Sequence, residues 1–102
     1  MLRHWVQFQF TDSSTADDVQ RIVDAFCSLK DTIPGVFALE HGTNNSPEGL
    51  ADGFTHCFLL TFQNEEDRDA YLPHPKHQAF IEIVKPHVHK VQVFDYWVSE
   101  SL

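Results

Sequence analysis

The sequence predicts an α+β fold of the ferredoxin-like kind, a four-stranded antiparallel sheet with helices on one face. Three observations predict it. Segments whose apolar residues recur every second position alternate with segments of helical period, in the order β-α-β-β-α-β. Right-handed crossovers place such an order in one antiparallel sheet with both helices on the same side. The first and third strands, central in that topology, are also the most apolar of the four.

Each element has its own signal. Residues 2–10 alternate, with Leu2, His4, Val6, Phe8 and Phe10 on one face and Arg3, Trp5, Gln7 and Gln9 on the other. Thr11 to Thr15 forms a turn ending in a helix cap, with Asp17 and Asp18 in the first helical turn. Val19, Ile22, Val23, Phe26, Leu29 and Ile33 follow at helical spacing, which predicts a helix over about 15–32 that Pro34-Gly35 stops. Val36 to Gly42 reads as the second strand, and Thr43 to about Gly53 as a loop dense in turn formers. Phe54 to Phe62 is the third strand, with Phe54, His56, Phe58, Leu60 and Phe62 on one face. Asn64 caps a short helix that Pro73 and Pro75 end. A second helical piece starts near Pro75, carries His77, Phe80, Ile81 and Val84 on one stripe, and breaks at Pro86. His89 to Trp97 is the last strand, with Val91, Val93, Asp95 and Trp97 on one face.

Composition narrows the class. The 102 residues predict one domain, 1–102, and 42 % hydrophobic content with nine Phe supplies one core. A formal charge of −8 with only seven Lys and Arg argues against nucleic acid and against anionic membrane surfaces. No apolar stretch approaches the ~20 residues of a membrane span. The opening Met1-Leu2-Arg3-His4-Trp5 lacks an apolar signal-peptide run, so a cytoplasmic protein is expected. Cys27 and Cys57 lie in apolar surroundings and read as buried free thiols.

Helices cover only one face of such a sheet. The other carries Trp5, Cys57, Leu59, Phe94 and Tyr96, too apolar to leave in water. Pairing two sheets face to face would bury it, which predicts a homodimer.

Five polar residues fall on inward positions: His4, His56, Tyr71, His77 and Asp95. Buried polar groups must pair with one another or do chemistry. His77 lies on an apolar stripe near a helix N-terminus, where dipole and burial both favour the neutral ring that a general base needs. His4 and Asp95 lie at facing ends of neighbouring strands, so a His–carboxylate hydrogen bond is expected. His74 and His77 have a ligand-like spacing but no third ligand of matched spacing, so no metal site is expected. His87 and His89, beside Pro86, read as solvated turn residues. There is no glycine-rich phosphate loop and no nucleophile elbow.

The chain resembles the stress-responsive dimeric A/B barrel (Dabb) domain family. The resemblance rests on His4 to Phe10, Ile33-Pro34-Gly35, Glu40 to Asn44 and Gly53 to His56. It continues through Thr61-Phe62, Asp67 to Tyr71, His74-Pro75-Lys76-His77, and Val91 to Tyr96. It implies a ferredoxin-like fold whose two subunits join sheets into a dimeric α+β barrel. One plant member of the family is a cyclase that closes a linear polyketide by aldol chemistry without metal or organic cofactor, in a pocket between sheet and helices. By resemblance its catalytic Tyr–His pair falls on Tyr71 and His77, and its polar pocket positions on His4, His56 and Asp95. Its lining falls on Phe26, Phe58 and Val88; Phe26 stands where the cyclase has an aromatic hydroxyl and Val88 where it has a tryptophan. Those departures imply a differently shaped cavity and leave polyketide cyclisation itself unsupported.

Two functions follow as expectations, beside a monooxygenase-like activity on an activated aromatic that rests on fold analogy alone. One is cofactor-independent acid–base chemistry of the lyase, cyclase or isomerase type on a small carbonyl compound. The other is a non-catalytic dimeric stress or small-ligand-binding protein in which the same polar groups form a closed network. The expected partners are a second copy of the chain and a small molecule.

Overall fold

The alternation of the first ten residues becomes strand β1 (Leu2–Phe10) in the computed structural model, which describes residues 1–99. Thr15 then closes a capping box with Asp18, and helix α1 (Ala16–Thr32) runs from it, burying Ile22, Val23, Phe26 and Leu29. Gly35 follows with φ of +94°, a conformation open to glycine, and a Cβ there would lie 3.1 Å from the Asp67 side chain. Strand β2 (Ala38–Thr43) begins two residues later than the sequence predicts, because Val36 is still buried in the turn.

Strand β3 (His56–Phe62) also starts late. The Phe54 N–H donates to the Ala51 carbonyl in a turn and is unavailable to the sheet. Asn64 caps helix α2 (Glu65–Tyr71) through the Asp67 N–H. Helix α3 (Pro75–Val84) has Pro75 in its first turn, and the His74 ring caps it by accepting from the Lys76 N–H. Pro86 ends α3 in a tight turn, Lys85–His87, that leads into strand β4 (Val88–Trp97).

His87 departs from expectation. It is half-buried rather than solvated; its Nδ1 lies 2.8 Å from Ser14 Oγ, and its carbonyl accepts from the Thr11 N–H at 2.8 Å. The turn at Pro86 therefore packs onto the turn before α1.

The strands pair antiparallel in the order β2-β3-β1-β4, as the predicted topology requires. Across this sheet His4 faces Asp95 on one side and Leu60 on the other, while Phe8 faces His56. Phenyl rings fill the space between sheet and helices. Phe26 stacks on Phe58 with centroids 4.1 Å apart, and Phe8 and Phe80 meet Phe26 edge-on.

No helix among the described residues lies over the opposite face. Trp5 there is 38 % exposed and Phe94 58 %. A depression of about 310 Å³ opens on that side, between Trp5, Gln7, Cys57 and the loop that carries Leu50 and Phe54. No helix among the described residues is long and apolar enough to cross a membrane.

Candidate acid–base site

Four of the five inward polar residues meet at one end of the helix-covered face. His4 is buried on β1, and its Nδ1 lies 2.7 Å from Asp95 Oδ1 across the strand pair. A carboxylate can only accept, so Nδ1 carries the proton of this hydrogen bond. Asp95 sits at the margin with its side chain 26 % exposed, and its second oxygen accepts from Arg68 Nη1 at 3.1 Å.

Tyr71 ends α2 and is completely buried. Its ring is edge-on to His4 at 6.0 Å and lies 4.4 Å from that of His77. The hydroxyl has no hydrogen-bond partner among the described residues. Burial pushes the phenol well above its ordinary value, so it remains a donor across the biological range.

His77 occupies the first turn of α3. Its Nδ1 is 2.8 Å from the Leu72 carbonyl, which can only accept. The Nδ1 proton is thereby assigned, and Nε2 is left as a free base. Burial pushes its pKa below the ordinary histidine value of 6.5; the Leu72 hydrogen bond opposes this, and nearby His4 reinforces it. The ring is therefore neutral at neutral pH. Gln78 Nε2 donates to the same carbonyl at 2.8 Å, which holds the link between α2 and α3 in place.

The other sequence-predicted positions lie apart from this cluster. Phe58 faces Val6, half-way along the sheet, with Phe26 stacked on it. His56 lies opposite Phe8, four strand positions from His4 and so about 13 Å along the sheet. It bonds Thr55 Oγ1 at 2.8 Å and packs on the edge of Phe10. Burial, then the proximity of His41, lowers its pKa. Val88 pairs with Phe10 at that same far end. Arg68 escaped the sequence reading. Its position three residues before Tyr71, on the same side of a short helix, was the available signal.

The family model described as the stress-responsive A/B barrel domain matches residues 2–98. The chain belongs to that family. An Arabidopsis thaliana relative, the stress-response A/B barrel domain-containing protein HS1, is 30 % identical over 95 residues, covering 93 % of this chain and 87 % of that one. The olivetolic acid cyclase of Cannabis sativa is 24 % identical over 95 residues, covering 93 % and 94 %. The solved structure of a hydroxynitrile lyase from Passiflora edulis superposes with a TM-score of 0.92 at 25 % identity, covering 99 % of this chain and 95 % of that one. A structure from Thermobifida fusca described as a dimeric ferredoxin-like protein superposes at 0.79 with 26 % identity, covering 95 % and 90 %. The ferredoxin-like A/B barrel architecture read from the sequence is thus the architecture of the chain. Members of the family include a cyclase, and a lyase shares the fold.

Proposed function

We propose that this A/B barrel protein is a homodimeric acid–base catalyst of the lyase or cyclase kind, acting on a small carbonyl compound. His77 Nε2 takes a proton from carbon next to a carbonyl, or from the hydroxyl of an adduct that breaks down to one. In the first case the C–H electron pair moves onto the carbonyl oxygen; in the second an oxygen electron pair closes the carbonyl while the bond to the leaving group breaks, cyanide from a hydroxynitrile departing with that pair and taking up the proton held by His77. The Tyr71 hydroxyl donates to the oxygen while it carries charge. His4, fixed by Asp95, places a second imidazole beside Tyr71. The chain's own side chains supply both acid and base, so the reading calls for no metal or organic cofactor. The similarity to one protein named a cyclase and another named a hydroxynitrile lyase supports the class.

One observation carries the reading: the buried Tyr71 hydroxyl is unpaired while its ring lies against the neutral base. A buried hydroxyl without a partner costs about 1–3 kcal/mol, a cost that a catalytic donor can justify and a packing residue cannot. Tyr71→Phe separates the two roles. With an aromatic hydroxynitrile as substrate and aldehyde release followed by absorbance, the variant should lose about 10²-fold in turnover. Its thermal midpoint should stay level or rise. Turnover unchanged by Tyr71→Phe would remove the hydroxyl from the mechanism.

The phenyl packing favours a second reading. Phe26 and Phe58 stack so closely that the middle of the helix-covered face is filled, as in a structural or small-ligand-binding protein. On that reading the wild-type protein turns over no carbonyl substrate.

A further inference from the structure

We propose that Arg68 is a positioning residue for His4, acting through Asp95. This rests on the acid–base reading of Tyr71 and His77 and extends it to a residue outside their contact.

The geometry is a chain of charge-assisted hydrogen bonds. Asp95 uses one oxygen for His4 Nδ1 at 2.7 Å and the other for Arg68 Nη1 at 3.1 Å. Arg68 Nε in turn donates to Asp69 Oδ1 at 3.0 Å. The guanidinium is a rigid planar fork, so holding Asp69 at one nitrogen fixes the direction in which another meets Asp95. With both oxygens engaged, the Asp95 carboxylate cannot turn about its terminal torsion, which is otherwise broad and roughly two-fold. The His4 ring then has one orientation, with its Nδ1 proton directed at Asp95.

Two features set this contact apart from an ordinary surface ion pair, which contributes little. The Arg68 and Asp95 side chains are only 20 % and 26 % exposed, and the imidazole they serve is 6 % exposed. In addition, Arg68 and Tyr71 belong to the same short helix. Glu65 of that helix accepts from Trp97 Nε1 at 3.4 Å, so α2 meets β4 at two points along its length. The helix that carries the oxyanion donor is therefore tied to the strand that orients His4. The charged and titratable groups facing His4 are Asp95 from β4, Arg68 and Tyr71 from α2, and His77 from α3.

The test uses the full chain with Arg68→Met and Arg68→Lys. The first readout is exchange with water of the His4 Nδ1 proton, seen by NMR, with the His77 Nδ1 proton as internal control. Arg68→Met should speed His4 exchange about tenfold or more, as loss of a hydrogen bond to a charged group implies, and leave His77 unchanged. Arg68→Lys, which keeps the charge but not the fork, should fall between. The second readout is turnover of an aromatic hydroxynitrile, expected to fall in the same order. Exchange at His4 as slow in Arg68→Met as in the wild type would overturn the proposal and leave Arg68 a surface ion pair. Should Arg68→Met not fold, the Lys variant decides alone: exchange identical to the wild type overturns the role of the fork. Because exchange is read without substrate, a wild type that turns nothing over would sink the catalytic reading while the His4 measurement still judges Arg68.

Discussion

Replacing His77 by alanine should reduce turnover of a carbonyl or hydroxynitrile substrate by about 10²- to 10⁴-fold, the usual worth of a positioned general base. The loss is expected in kcat, with the fold intact. Structurally the site tolerates the change, because Gln78 Nε2 still donates to the Leu72 carbonyl that His77 would release. The wild-type pH profile carries the same signature. A base is active when deprotonated, and burial holds the His77 pKa below 6.5. Activity should therefore persist as the pH falls through the ordinary histidine value and decline only below it, and His77→Ala should erase that acid limb. Full activity in His77→Ala would assign the base elsewhere, with His4 the next imidazole beside Tyr71.

The second large effect concerns assembly. Wild-type protein should be dimeric at micromolar concentration by sedimentation equilibrium, and Phe94→Glu should be monomeric with an unchanged circular dichroism spectrum. Phe94 is 58 % exposed on the uncovered sheet face, so the isolated subunit has little to lose from the change. Inside a sheet-to-sheet interface the same glutamate would be an unpaired buried charge, costing about 3–5 kcal/mol in each copy. Phe94 is a cleaner choice than Leu59, whose cross-strand neighbour Glu40 would partly neutralise an introduced arginine. A wild-type protein that sediments only as monomer would show that this face is covered by something other than a second copy.

Strand parity carried most of the fold and part of the site. Leu2, His4, Val6 and Phe8 alternate so regularly that their face was legible, and the antiparallel pairing of first and last strands then placed Asp95 opposite His4. His56 shows the limit of parity. It shares the face of His4, but the register sets it four positions away, and face alone says nothing of distance along a strand. The late start of β3 was hidden because Phe54 continues the apolar alternation while its N–H is committed to a turn. His87 looked exposed beside a proline, yet that proline is what turns it onto Ser14. Arg68 was legible only as a helical neighbour of Tyr71. Its partner lies 27 residues away, and only the packing of α2 against β4 brings the guanidinium to Asp95. The Leu72 carbonyl, which fixes the His77 tautomer, is a main-chain group and leaves no trace in side-chain patterns.

The central claim is that His77 is a neutral imidazole with a bare Nε2 beside the Tyr71 hydroxyl. Long-range nitrogen–proton NMR on uniformly ¹⁵N-labelled protein reads this directly. At neutral pH the His77 ring should show a protonated Nδ1 and an unprotonated Nε2, and addition of acetophenone, a carbonyl that cannot be cleaved, should shift its Nε2 resonance and leave exposed His89 unmoved. A ring protonated on both nitrogens, or carrying its single proton on Nε2, would contradict the account.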